Sequence, residues 1–215
     1  MAYQLSDLQS KLQTQIGDPN LSSSITLDAL NYTEQNIFNT FDLTLNSAQQ
    51  TNTVTSGTNV LASALPSNFQ RIVNIRVTSP TNAVDNLKKY YLSPDQFREN
   101  FSSTVIIGTG PLTYWTYWTG VEFGNNADQT YTVSIDYIKS PTLLSSSTDV
   151  PTVPQSFEEL LILCAKIRIY EQKEDFDYAS QFTNRYADLL EAFVARYSTR
   201  QVDMQVNVPG SRMRV

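Results

Sequence analysis

The stretch from residue 156 to residue 197 constrains the fold most, because it joins a helix-start signal to two apolar repeats. Ser156 and Glu159 have the spacing of a capping box, in which each side chain bonds a free N–H of the first helical turn. A first helix is predicted after this signal, and a second one after the charged break at 173–175. The second helix has one apolar and aromatic face, formed by Tyr178, Phe182, Tyr186, Leu189, Phe193 and Tyr197. The stretch therefore predicts a helical hairpin at the core of a domain.

The first 46 residues also have helical patterns. Leu5, Leu8, Leu12 and Ile16 share one face of a predicted helix, which we expect to end at Gly17. A second helix is predicted from residue 26 or 27, because apolar residues again recur with a helical period. These two helices can cover the apolar faces of the C-terminal hairpin.

Strand patterns replace the helical ones in the middle of the chain. Two β-prone segments flank Ser56 and Gly57, which predicts a β-hairpin, and residues 131–137 alternate regularly as a strand. The fold class is therefore α+β, with an antiparallel β-rich domain inserted into a helical bundle. The predicted parts are a helical bundle domain (1–46 and 155–197), an inserted β-rich domain (47–142), a linker (143–154) and an extended C-terminal tail (198–215).

Composition excludes several classes of function. The chain contains no His, which removes most general-base, metal and pH-switch chemistry. Its net charge of -6 makes it a poor candidate for binding DNA phosphates tightly. The single Cys164 lies in an apolar run, which predicts a buried thiol without a disulfide. We expect no signal peptide and no membrane span, because no apolar run is long enough for either.

No group of residues predicts catalysis. Serine and cysteine nucleophile sites of the common types need a His, which is absent. The segment Gly108-Thr109-Gly110 lacks the third Gly and the following helix of a phosphate loop, and Glu158 and Glu159 are explained by the helix dipole. We predict no catalytic residue, no cofactor and no metal, although a hydrolase using two of the 21 carboxylates stays open.

Aromatic residues are concentrated in one predicted strand, with Tyr114, Trp115, Tyr117 and Trp118 on both of its faces. Three interpretations stay open. The strand packs one face into the core and the other against a neighbouring element, or it contacts another subunit or tail protein, or it stacks on sugars. The third interpretation predicts a carbohydrate- or receptor-binding module.

The tail after Tyr197 has a strand pattern but no hairpin partner of its own. Such a segment can add to the sheet of another chain or lie in its groove, and a disordered end is the alternative. The residues that predict docking to a partner are Arg200, Val202, Met204, Val206, Val208, Arg212, Met213 and Arg214.

The order of these parts resembles the head–tail adaptor, or head-completion, proteins of tailed bacteriophages. The similarity covers residues 3–200 and rests on the element order and on short phrases. These are LPSNFQRIV at 65–73, YTVSIDY at 131–137, PTVPQSFEELL at 151–161 and YEQ at 170–172.

This resemblance implies a structural virion protein at the head–tail junction, and not an enzyme. It implies a homo-oligomeric ring of twelve copies below the phage portal protein, around a channel for DNA. The next tail component, a nozzle, stopper or tail hub, would dock below the ring. An acidic channel lets DNA slide, because it repels phosphates. The resemblance also implies that the C-terminal segment reaches the portal, where its Arg residues could pair with carboxylates.

Overall fold

The structure, a computed structural model, describes residues 3–18, 20–80, 86–101 and 108–198. It has the predicted α+β fold, with five helices and antiparallel strand pairing in its main sheet. The described chain forms two compact units. The helical unit consists of the residues before Ser47 and after Ser140, and the β unit consists of Ser47–Ser140.

The helical unit is built around one buried helix. Its four helices are α1 (Leu5–Ile16), α2 (Ser23–Thr40), α4 (Glu158–Gln172) and α5 (Phe176–Tyr197); α3 belongs to the β unit. Helix α4 contacts all three others, and every residue from 160 to 166 is buried. Residues 160–165 are apolar on every side of the helix, and such a run can be stable only at a central position. The predicted hairpin is therefore the core of this unit.

Local signals explain most of the helix ends. Gly17 ends α1 with a φ of 70°, a left-handed conformation that Gly adopts without steric cost. Helix α2 begins three or four residues earlier than predicted, because the Ser22 side chain accepts a hydrogen bond from the Ser24 N–H. The capping box at Ser156 is wrong, since a 3₁₀ turn at Gln155–Phe157 precedes α4 and Phe157 gives no side-chain cap.

The segment before α4, predicted as a linker, is bonded into the helical unit. The Asn31 side chain exchanges two hydrogen bonds with the backbone of Leu144, of 2.9 and 2.8 Å. The N–H of Leu5 donates to the carbonyl of Asp149, which satisfies a free donor in the first turn of α1. Val153 is fully buried in the helical core. These bonds fix the segment across α1 and α2.

The β unit is centred on a three-stranded antiparallel sheet in the order β1-β7-β2. The strands are β1 (Ser47–Val54), β2 (Phe69–Ser79) and β7 (Tyr131–Lys139). Strand β7 is the predicted alternating strand, and Tyr131, Val133 and Ile135 are buried on one side. The predicted hairpin at Gly57 has its turn, but the strand partner of β1 is β7. The segment after the turn forms no regular strand and bonds β1 through the Ala62 N–H, which donates to the Thr53 carbonyl at 2.7 Å, and through the Asn52 side chain.

Smaller elements complete the β unit. The short helix α3 (Pro94–Asn100) begins with Ser93 as its N-cap and Pro94 at the first position, as the sequence predicts, and Ser93 and Gln96 form a capping box. Four short strands pair in twos, β4 with β5 antiparallel and β3 with β6 parallel, so the pairing is not antiparallel throughout. They are β3 (Thr109–Gly110), β4 (Trp115–Tyr117), β5 (Val121–Phe123) and β6 (Asn126–Ala127).

Candidate functional site

The C-terminal end of α5 is anchored by an aromatic cluster. The ring of Phe193 is fully buried and lies 5.1 Å from the rings of both Phe157 and Tyr197. Phe38 of α2 meets the same ring edge-on at 6.5 Å. Edge-to-face and tilted pairs of this kind are favourable beyond the apolar area they bury. The cluster therefore fixes the C-terminal end of α5, called the exit here, after which residues 199–215 follow in the sequence.

The last described residues are also held in place. Ser198 has an extended backbone and forms an antiparallel bridge with Leu43, while the Thr44 hydroxyl donates to the carbonyl of Tyr197 at 3.2 Å. In an antiparallel pair, each step forward on one chain is a step backward on the other.

An open groove lies beside this exit. It has a volume of about 450 Å³, and all but one of its lining residues are apolar. The lining consists of Phe41 at the end of α2 and, on α5, Ala187, Leu190, Glu191, Val194 and Ala195. Glu191 forms no ion pair with any residue that the structure describes. The groove can accept an apolar segment together with one cation.

The predicted docking residues of the tail lie outside the described residues. They are Arg200, Val202, Met204, Val206, Val208, Arg212, Met213 and Arg214. What the structure describes is their point of attachment, which is the anchored end of α5.

The four aromatic residues proposed as contacts have different environments. Trp115 has 4% of its surface exposed, and its indole N–H donates to the carbonyl of Leu87 at 2.8 Å, so it belongs to the core of the β unit. Tyr117 is partly buried and packs on Phe69, with ring centroids 5.1 Å apart. Tyr114 and Trp118 are exposed. Only two of the four rings are exposed and Trp115 is buried, so these residues form no continuous aromatic surface on which a sugar could stack.

The α4–α5 hairpin has an aromatic stack that holds a buried cation. Tyr170 stacks on Tyr178 and Phe182, with ring centroids 5.6 and 6.0 Å apart. The Lys166 ammonium lies 3.9 Å from the centre of the Phe182 ring, and burial lowers the pKa of this lysine. The sequence does not indicate this environment, since Lys166 meets its ring only when the two helices pack.

A buried carboxyl joins α2 to the segment before α4. Glu34 is 1% exposed, and its Oε1 accepts a hydrogen bond of 3.1 Å from the N–H of Val153. Its Oε2 has no hydrogen-bond partner among the described residues. Burial raises the pKa of Glu34 to about 7, and the backbone hydrogen bonds from Val153 and Thr152 oppose that shift. Nothing in the local sequence distinguishes this acid from an exposed one.

The described residues contain no cluster of three or more side chains suited to hold a metal ion. None of the described helices is long and apolar enough to cross a membrane. The one cysteine, Cys164, is buried, and burial raises the pKa of its thiol. The described surface of the helical unit has an apolar groove beside the anchored end of α5.

Comparison with known proteins supplies the family. No curated protein matches the chain. The profile of one protein family, described as SU10 adaptor protein, matches residues 3–212, which is nearly the whole sequence. This match confirms the resemblance to phage head–tail adaptors, and it identifies the protein as a structural phage component that interacts with other head and tail proteins. The chain belongs to the SU10 adaptor protein family.

Proposed function

We propose that this protein forms a ring below the phage portal, extends the DNA channel and provides the docking surface for the next tail component. The observation that carries the proposal is the family match across both units and most of the tail. A ring of twelve copies is the arrangement that the resemblance implies. Each subunit would then present one anchored C-terminal exit to the portal side.

The charge of the protein supports a channel role. The net charge is -6 and the chain has no His, so the fixed charge of a ring would repel DNA phosphates. A channel for ejected DNA needs weak contact, because tight phosphate binding would slow the passage of the duplex. This electrostatic argument concerns the whole chain and assigns no particular helix to the channel.

The tail is the proposed portal contact. Its apolar residues alternate, so an extended tail has one apolar side that can lie in a groove or pair with a strand of the partner. Arg200, Arg212 and Arg214 can form charge-assisted hydrogen bonds with carboxylates of the portal. Anchoring at Phe193 and Tyr197 supports this role, because it holds the root of the tail in place.

Deletion of residues 199–215 is the first test. We expect the truncated protein to keep the circular dichroism spectrum of the full chain and to unfold cooperatively, because the helical core ends at Tyr197. We expect its binding to purified portal rings, measured by co-sedimentation, to fall at least about 100-fold, since the deletion removes the apolar side and all three Arg residues of the proposed contact.

A charge-matched control separates the effect of the apolar residues of the tail from the effect of its Arg residues. In this variant Val202, Met204, Val206 and Val208 become Ser while every Arg is kept. We expect it to bind almost as poorly as the truncation, because the apolar side is lost. If the truncated protein decorates portal rings as well as the full chain, the tail is not the portal contact.

A further inference from the structure

We propose that in the free subunit the C-terminal segment 200–208 of the same chain docks in the apolar groove between Phe41 and α5, and that it leaves this groove when it engages a partner. The inference rests on the proposed function only for the identity of that partner. The docking itself is a property of the isolated protein.

The exit geometry is the first argument. Ser198 forms an antiparallel bridge with Leu43, and a segment that continued this pairing would pass residue 42 and reach Phe41. Phe41 is one wall of the groove. A chain that continues this pairing reaches the groove within about two residues, because the residues of paired strands advance together. No long loop has to be closed, so the entropic cost of docking is low.

The dimensions and the apolar pattern agree with an extended occupant. Along α5, the lining residues run from Ala187 to Ala195, a rise of roughly 12 Å at 1.5 Å per residue. Alternate side chains of an extended segment are roughly 6.6 Å apart, so two or three of them fit this length. Val202, Met204 and Val206 have the required spacing.

Charge gives an independent argument. Glu191 is the one charged residue of the groove lining and has no ion pair among the described residues. Arg200 precedes the apolar residues of the segment, so it would enter the same region as Glu191. A carboxylate at the edge of an apolar groove favours a segment that combines a cation with apolar side chains.

Docking in the groove gives the subunit a resting state. While the apolar side of the segment lies against Leu190 and Val194, it is unavailable to other chains. The partner must then offer a better site than the groove. The apparent affinity for that partner is reduced by the fraction of subunits whose segment is released.

Hydrogen–deuterium exchange on the free full-length protein tests this inference. We expect the amides of residues 202–208 to exchange about tenfold or more slowly than the same amides in a synthetic peptide of residues 199–215. Ala187→Glu places a carboxylate in the groove and should bring these amides to the rates of the peptide. The matched control is Ala192→Glu, another exposed alanine of α5 that does not line the groove, and it should leave the protection unchanged.

A second variant avoids any effect on α5. Val206→Asp lies outside the described helical core and should remove the protection as Ala187→Glu does. Exchange of the wild-type segment at the rates of the peptide would overturn the inference. Protection that increases with protein concentration would overturn it too, because the groove would then hold the segment of a second copy.

Portal binding separates this inference from the proposed function. If both hold, Ala187→Glu should bind portal rings about tenfold more tightly, because its segment is already released. If truncation abolishes portal binding but the wild-type segment is unprotected, the proposed function stands and the docking fails. If the segment is protected but truncation leaves portal binding unchanged, the docking stands and the portal assignment fails.

Discussion

Phe193→Ala should lower the free energy of unfolding of the helical unit by about 3–5 kcal/mol, the usual cost of truncating a fully buried aromatic residue. Phe193 is 0% exposed and touches the rings of Phe38, Phe157 and Tyr197, which come from three different parts of the chain. Its loss leaves a cavity that these rigid rings cannot fill. Urea unfolding followed by far-ultraviolet circular dichroism measures the change.

The control for this variant is on the same helix. Phe176 is 65% exposed at the first position of α5, so Phe176→Ala should change the stability by less than about 0.5 kcal/mol. Equal costs for the two truncations would contradict the assignment of Phe193 to the anchor. Because the anchor also fixes the exit, Phe193→Ala should increase hydrogen exchange at Ser198 more than at Gly17.

Glu34 should make the stability of the protein fall as the pH rises from about 4.5 to about 7. The pKa of its carboxyl rises from an ordinary 4.5 to about 7 on folding, so the folded state holds the proton more tightly than the unfolded chain does. The stabilisation is fully present below pH 4.5 and is lost as the pH passes through 7. Its size is about 3 kcal/mol at most, at 1.36 kcal/mol for each tenfold change in proton affinity.

Glu34→Gln isolates this contribution. The amide keeps an acceptor for the N–H of Val153 and cannot ionise, so the variant should become more stable relative to wild type as the pH rises. Tyr3, whose hydroxyl donates to the Val153 carbonyl, lies near Glu34, and the Glu158 carboxylate lies near Tyr3. Both are present in each protein and cancel in the difference. If the free energy of unfolding depends on pH equally in the variant and the wild type, Glu34 ionises in the folded protein as easily as in the unfolded chain, and this prediction is wrong.

Local patterns predicted the parts of the fold that depend on local geometry. Gly17 was identifiable as a helix end because its left-handed conformation suits Gly, and Phe193 because its period places it on the apolar face. Ser156 failed as a cap for a non-local reason. The chain enters α4 through a 3₁₀ turn, and the Glu159 carboxylate pairs with Arg185 of α5 at 3.2 Å. A capping signal cannot anticipate a competing partner 26 residues away.

The candidate site was predictable only in part. The alternation of apolar and polar residues in the tail is visible in the sequence, so a docking role could be predicted from it. The groove could not, because Phe41 and Leu190 come together only when α2 packs beside α5. Glu34 meets Val153 across 119 residues of sequence, and its pKa is raised by a burial that no local pattern reveals. Long-range packing therefore creates the features of most interest for assembly.

Electron microscopy of the protein mixed with its portal tests the central claim most directly. We expect averaged images to contain a second ring, coaxial with the portal and with an open channel, and we expect this ring to be absent when residues 199–215 are deleted. The Phe176→Ala variant should form the ring normally. Portal rings that remain bare with the full-length protein, or that bind it at scattered positions without a common axis, would contradict the adaptor account.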